Sequence, residues 1–266
     1  MLFKELSMKK YEVIVIENLN QTATIHSIET CGTVDGPGIR YVVFMQGCPL
    51  RCIYCHNPDT WRKKSKSAHI KSVEEVLEDV LKYRSYFHFS GGGITLTGGE
   101  PLLQKNFTKS MFAECKKEGL HTVLDTCGDI EIDDDVKEIL HLTDLVLLDI
   151  KSINADTYKK TTGGVGELER VLRFSELLKE LSIPTWVRFV LVPALTDNEN
   201  ELHELASYIQ TLSNVEAVGI LPFHQLGAFK WEELSLDYKL KSTPEPTITE
   251  TKRVKELFRS YGLVVR

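Results

Sequence analysis

From Thr22 onward the chain alternates short apolar runs with amphipathic stretches. The apolar runs at residues 41–45, 94–97, 120–124, 145–150, 186–192 and 217–221 have the length of strands and are rich in Val, Ile, Leu and Phe. Helical spacing of apolar residues fills the intervals 107–118, 133–142 and 167–181. Three Ser or Thr residues stand three positions ahead of a Glu, the arrangement of a capping box: Ser72 with Glu75, Thr196 with Glu199, and Thr247 with Glu250. The first predicts a helix with apolar positions at Val76, Leu77, Val80, Leu81 and Tyr83. The second predicts one with Leu202, Leu205, Ile209 and Leu212 on one face, and the third opens the last helix. Residues 22–28 read as an earlier strand and 263–265 as a short final one. Gly and Pro punctuate 30–40 as a loop, and Gly91-Gly92-Gly93 as a turn.

About six strand–helix units in succession define an α/β fold whose parallel strands are joined by helical crossovers. Pattern alone also admits an open, doubly wound sheet. No linker, repeat or low-complexity segment divides the chain. Residues 1–21 read as a variable N-terminal extension and 22–266 as a single domain.

Composition narrows the class of partner. The chain has 266 residues, 42% of them hydrophobic, enough for a substantial core, and a net charge of −6. A mildly acidic chain offers no electrostatic footprint for nucleic acid. Arg62-Lys63-Lys64-Ser65-Lys66 is the one dense basic run; it reads as a solvated loop, with docking to an acidic partner as the lesser alternative. The apolar run Val13-Ile14-Val15-Ile16 is too short for a membrane span or a secretory core, and no long apolar segment follows. Cys31, Cys115 and Cys127 are scattered and suggest no disulfide framework, which points to the reducing cytoplasm.

The other three cysteines carry the candidate chemistry. Cys48, Cys52 and Cys55 fall within eight residues, spaced Cys-x-x-x-Cys-x-x-Cys. Thiolates suit iron–sulfur clusters, zinc or Cu(I). A cubane cluster normally takes four cysteines, so three would leave one iron open for a substrate. The plainer alternative is structural zinc held with His56, in a zinc-binding interaction protein. Zinc ligands usually come as two separated pairs, and His56 directly after Cys55 is poorly placed to share one tetrahedral ion.

The spacing is that of the radical S-adenosylmethionine (SAM) enzymes. The stretches His26–Arg40 (HSIETCGTVDGPGIR), Gln46-Gly47-Cys48 and Tyr54–Trp61 (YCHNPDTW) resemble, within that superfamily, the activases of glycyl radical enzymes of the pyruvate formate-lyase type. The similarity runs from about Ile25 to the C-terminus. It implies a partial (βα)6 barrel, a [4Fe-4S] cluster on Cys48, Cys52 and Cys55, and SAM as the source of a 5′-deoxyadenosyl radical. That radical would abstract a Cα hydrogen from the glycine loop of pyruvate formate-lyase, with a flavodoxin- or ferredoxin-type protein supplying the electron. An activase for another glycyl radical enzyme is the alternative within the class. The three remaining cysteines cannot hold a further four-cysteine cluster of the kind several of those carry.

Polar residues gather after the predicted strands, where βα barrels place their active sites. Taken singly, each reads equally well as a turn or cap residue. Asp149 and Lys151, two apart on a strand, share a side, and Ile150 takes the other; a strand-capping ion pair explains the first two as well. By resemblance Tyr54, Cys55, His56, Gly99, Glu100, Asp149, Ile150, Lys151 and His224 bind SAM. The same resemblance implies a monovalent-cation site at Asp125, Thr126 and Asp149. Arg188 stands inside an apolar strand, where a charge needs a partner such as Asp149 or Glu100. It and Asp35, in the Asp35-Gly36-Pro37-Gly38 turn, are the candidates for holding the substrate loop.

Overall fold

The computed structural model describes residues 18–65 and 68–266. Most of the expected extension, with its apolar run, and Lys66 lie outside these. Asn18 and Leu19, within the expected extension, already belong to the folded body. Leu19 packs on the core, and Asn18 accepts a hydrogen bond from Ser110 Oγ at 3.2 Å.

One eight-stranded sheet carries the fold, in the order β3-β1-β2-β4-β5-β6-β7-β8. The six parallel strands are β2 (Arg40–Met45), β4 (Gly93–Gly98), β5 (His121–Thr126), β6 (Leu145–Asp149), β7 (Thr185–Leu191) and β8 (Val215–Pro222). They correspond to the six predicted runs and form the six units of a partial barrel. β1 (Thr22–Gly32) and β3 (His69–Ser72) add an antiparallel edge. β1 runs into the expected loop as far as Gly32, with irregular register against β2. β3 escaped the sequence pattern because its four residues, His-Ile-Lys-Ser, carry one apolar side chain, and that one faces solvent. The predicted last strand shrinks to a single bridge between Val265 and Val218.

The helices are α1 (Val73–Leu81), α2 (Arg84–Ser90), α3 (Lys105–Lys117), α4 (Asp134–His141), α5 (Ala155–Thr161), α6 (Leu168–Glu180), α7 (Glu199–Gln210), α8 (Ala228–Glu233) and α9 (Ile248–Ser260). Capping boxes at Ser72–Glu75 and Thr247–Glu250 start α1 and α9. The Thr196–Glu199 expectation is corrected. Asn198 is the cap of α7, accepting from Asn200 N and Glu201 N, while Thr196 Oγ1 closes the turn back to Val190 and Val192. An Asx cap two residues downstream outcompetes the box because its short side chain reaches both free amides.

The strand alternation sorts side chains between two cores. Ile94, Leu96, Leu124, Val146, Leu148, Val187 and Phe189 face the helices and belong to the main core. Val123, Leu145 and Leu147, with Trp186, form a small cluster of their own. Thr97, Asp125, Asp149 and Arg188 stand two residues further along this second face, toward the C-terminal strand ends. The period-2 pattern thus places an apolar layer beneath a polar one.

Candidate active site

The cluster loop begins where β2 ends. Its backbone is fixed at both sides: Gly47 N and Cys48 N donate to Thr60 O and Trp61 O at 2.7 and 3.2 Å, and Arg51 N and Ile53 N to Thr162 O and Thr161 O at 3.2 and 2.9 Å. Gly98 and Gly99 serve the same loop. Glu100 N donates to Gly47 O at 2.7 Å, and Gly98 has φ of 105°. A Cβ on Gly99 would lie 2.0 Å from Gly47 O. The close approach these glycines permit is that of one backbone to another.

Between this loop and the strand ends lies a cavity of about 600 Å³. Cys48, Cys52, Cys55, Tyr54 and His56 line it from the loop. Gly99, Asp125, Thr126, Asp149, Lys151, Arg188 and His224 line it from β4 to β8, and Asp35 from the turn before β2. Residues spread over 190 positions of sequence therefore meet in one cavity, from Asp35 to His224. Cys127 lines it too, a place the sequence does not announce: it is one of three scattered cysteines, though it follows the strand-end pair Asp125-Thr126 directly.

Two residues expected at the SAM pocket do not line the cavity. Ile150 is fully buried in the helix-side core, as the alternation requires. The Glu100 carboxylate is turned into the backbone, accepting from Leu102 N at 3.0 Å, Cys127 N at 2.9 Å and Thr126 Oγ1 at 2.9 Å. It ties the end of β4 to the end of β5, and burial raises its pKa against those donors.

A chain of charges crosses the cavity wall. Lys151 Nζ donates to Asp149 Oδ2 at 2.9 Å, Arg188 Nε to Asp149 Oδ1 at 3.0 Å, and Arg188 Nη2 to Asp125 Oδ1. Thr97 Oγ1 donates to the other Asp125 oxygen. The charged strand residue has thus found two carboxylates, Asp149 as expected and Asp125 in place of Glu100. Burial works against ionised Asp149, but Arg188 and Lys151 outweigh it and hold its pKa at about 2. Asp125 has only a share of Arg188, and burial pushes it up. The oxygens expected to hold a monovalent cation are engaged by the protein: Arg188 takes both carboxylates, and the Thr126 hydroxyl goes to Glu100.

Beneath the polar layer, Arg40 is wholly buried and, among the described residues, makes no ion pair. Its guanidinium donates to Thr95 Oγ1 at 3.0 Å and to the main-chain oxygens of Ile94 and His121. Burial brings its pKa down to about 9. Thr95 passes the support on, donating to Asp35 O at 2.7 Å. The Asp35 turn is therefore fixed through its backbone, leaving the carboxylate directed to the cavity, with its pKa raised by burial.

A second feature unread in the sequence is α8, which closes over the cluster loop. Trp231 Nε1 donates to Cys55 O at 2.8 Å, and Lys230 Nζ meets Asn57 Oδ1 and Asp59 Oδ2, both at 2.9 Å. His26 Nε2 reaches the same Asp59 oxygen at 2.9 Å. Nearby, the His56 and His224 rings lie 4.2 Å apart between centroids, and His56 Nε2 faces His224 O at 3.3 Å. The YCHNPDTW stretch held the signal for one half of this contact; the other half, in α8, is a six-residue helix without a capping motif.

The donor set fits a cluster. Three thiols line one cavity, and burial raises all three, Cys55 to about 12, so metal assembly there must displace protons. Among the described residues, no three His, Cys, Asp or Glu side chains converge as the ligands of a single ion do. Cubane ligands stand apart because each binds its own iron. The buried Tyr54 hydroxyl, on the cavity wall, has no hydrogen-bond partner among the described residues.

A parallel six-strand partial barrel with a three-cysteine loop at its C-terminal mouth is the arrangement of the radical SAM superfamily. The chain belongs to that superfamily, whose profile matches residues 42–206. Its relatives there include the pyruvate formate-lyase-activating enzyme of Staphylococcus epidermidis, 44% identical over 88% of this chain and 93% of the relative. The Staphylococcus aureus protein of the same name is 45% identical over 84% and 89%. Solved structures share the fold: a domain of a pyruvate-formate lyase-activating enzyme from Bacteroides vulgatus (TM-score 0.55, 22% identity, 66% of this chain and 98% of that one) is one. Streptococcus suis SuiB bound to precursor peptide SuiA (TM-score 0.67, 13% identity, 91% and 50%) is another.

Proposed function

We propose that this chain activates pyruvate formate-lyase by installing a glycyl radical on it. Held by Cys48, Cys52 and Cys55, a [4Fe-4S] cluster would supply the single electron for reductive cleavage of SAM to methionine and a 5′-deoxyadenosyl radical, which would take a glycine Cα hydrogen and end as 5′-deoxyadenosine. The observation that carries this reading is the single cavity onto which the Cys48–Cys52–Cys55 triad, the Lys151–Asp149–Arg188 charges and the Asp35 turn all open. Cys48, Cys52 and Cys55 hold the cluster. Lys151 and Arg188, though paired with carboxylates, present donors to the carboxylate end of SAM, and Tyr54, His56 and His224 face its remaining part. Asp35 accepts N–H bonds from the extended glycine segment of the partner, and such charge-assisted bonds are among the stronger ones. A flavodoxin- or ferredoxin-type protein supplies the electron. The cytoplasm is the proposed site of action; among the described residues no helix is long and apolar enough to cross a membrane.

The test is an anaerobic reaction of the reconstituted protein with SAM, reductant and pyruvate formate-lyase, read by electron paramagnetic resonance. A glycine-centred radical on the partner is expected, and a glycine-containing peptide from it should act as a slow substrate. Asp35→Ala should lower peptide turnover while cluster content and SAM binding persist. A radical on a different glycyl radical enzyme but none on pyruvate formate-lyase would replace the partner; SAM cleavage with neither would overturn the activase reading.

A further inference from the structure

The cluster loop is bordered by cations that form no ion pair among the described residues. Arg51 lies inside the loop: its guanidinium donates to Cys48 O at 2.9 Å and Leu50 O at 2.6 Å and lies 5.3 Å from the Trp61 ring centroid, and its amide is bonded to Thr162 O, so it keeps its charge beside the cluster while bracing the loop. On the Trp61 side the chain continues into Arg62, Lys63 and Lys64, all exposed, and the Lys63 backbone packs against Gly47, next to Cys48. On the Thr162 side, Lys159 and Lys160 are exposed at the end of α5, and the turn at Gly163 packs onto Arg51.

Among the described residues none of these six side chains forms an ion pair, whereas sixteen other Lys and Arg residues do. The sequence leaves the field open as well. Residues 48–58, 60–73 and 157–166 contain no Asp or Glu, and Asp59 is already held by His26 and Lys230. A chain of net charge −6 thus gathers six cations around the loop that binds the cluster.

We infer that this surface, Arg51 with Arg62, Lys63, Lys64, Lys159 and Lys160, is the docking site for an acidic one-electron carrier protein that reduces the cluster. The inference rests on the activase reading's cluster and adds where the electron enters. Opposed charges steer encounter and raise the association rate by about 10–1000-fold, while the negative remainder of the chain repels an acidic partner from wrong faces. Arg62, Lys63, Lys64, Lys159 and Lys160 are exposed on segments flanking the cluster loop, and none of them lines the cavity, so the carrier and the substrate loop do not compete for one surface.

The test uses reconstituted holoprotein and two charge-reversed variants, Lys63→Glu with Lys64→Glu, and Lys159→Glu with Lys160→Glu. Cluster reduction is followed by stopped-flow absorbance, once with reduced flavodoxin and once with dithionite. With flavodoxin at low ionic strength each variant should react at least about tenfold more slowly than the parent, and the parent's rate should fall steeply with salt. With dithionite, reduction and SAM cleavage should match the parent. Equal flavodoxin rates and salt slopes in parent and variants would overturn the proposal. So would variants that accept flavodoxin electrons normally but no longer form the radical on pyruvate formate-lyase under dithionite, which would assign the surface to that partner. If dithionite-reduced parent protein fails to cleave SAM, the activase reading falls first, and the docking site with it.

Discussion

The indole N–H of Trp231 donates to the main-chain oxygen of Cys55 at 2.8 Å, across 176 residues of sequence. Beside it, Lys230 reaches Asn57 and Asp59, and Trp231 meets Trp61 edge-on, with ring centroids 5.0 Å apart. A Cβ on Gly227 would lie 2.7 Å from His56 Cα, so the chain entering α8 rests directly on the loop. α8 therefore acts as a clamp on the third cysteine and the residues that follow it. Trp231→Phe keeps the ring and removes the donor, at a cost of about 1 kcal/mol. Amide exchange over residues 55–61 should accelerate in Trp231→Phe and in Lys230→Met, with the strands unaffected. Unchanged exchange there would show that α8 merely rests on the loop.

Iron content separates the cysteines by position. Cys48→Ala, Cys52→Ala and Cys55→Ala should each abolish the brown chromophore and the roughly four irons per chain of a cubane. Cys31→Ser, exposed on β1, and Cys115→Ser, buried in the helix-side core, should retain both. Stoichiometric zinc after expression with ample iron would end the cluster assignment.

Asp149 and Lys151 should affect SAM without affecting iron. Asp149→Asn weakens the hold on both Lys151 and Arg188, and Lys151→Met removes a donor beside Tyr54. Losing one charge-assisted contact of about 1.5–3 kcal/mol should weaken SAM binding roughly 10–100-fold. Calorimetry on reconstituted variants measures this, with iron content as the control. Native affinity in both would remove these residues from the SAM site.

The acid side of the stability profile should carry the mark of Asp149. Its folded pKa of about 2 lies below the unfolded carboxylate value of about 3.9. The stabilisation is therefore complete above the unfolded value and is lost as pH falls from about 4 toward 2. Denaturant titrations at pH 5, 4 and 3 should show stability declining with acid less steeply in Asp149→Asn than in the parent. Equal slopes would mean that the Arg188–Asp149–Lys151 chain does not distinguish the folded from the unfolded state.

Gly99→Ala tests the seam between β4 and the cluster loop. The added methyl would lie 2.0 Å from Gly47 O, and both contacting segments are backbone. Overpacking of this kind costs roughly 1–3 kcal/mol. The variant should unfold at lower denaturant and assemble less cluster. A Gly91→Ala control is open in space but left-handed in backbone (φ 70°), so it should cost stability without affecting iron.

What the sequence revealed depended on how local the physics was. Period-2 runs and Ser72 or Thr247 boxes act within a few residues, so the six parallel strands and the caps of α1 and α9 could be read directly. β3 and α8 are held mainly by contacts with distant segments, His69 with Ile25 and Trp231 with Cys55, and neither has a local pattern. The cysteine triad was legible because its spacing is short. The partition of Glu100 from Asp125 was not: both stand near strand ends, and only the fold decides that one carboxylate meets backbone amides and the other a guanidinium. Cys127 was missed for the same reason, since its proximity to the triad is created by packing β5 two strands away from β2.

Among the described residues the sheet ends at β3 on one side and β8 on the other, without the pairing that would join them. A closed ring of strands can be entered only along its axis, by a free chain end or a small molecule. A glycine in the middle of a folded enzyme has no free end to lead with; its segment must be laid in sideways, with chain continuing at both ends. An unclosed sheet admits such a segment as a slot admits a loop of thread. The unjoined strands of this barrel thus suit a substrate segment that lies within another polypeptide and enters without being cut or unthreaded.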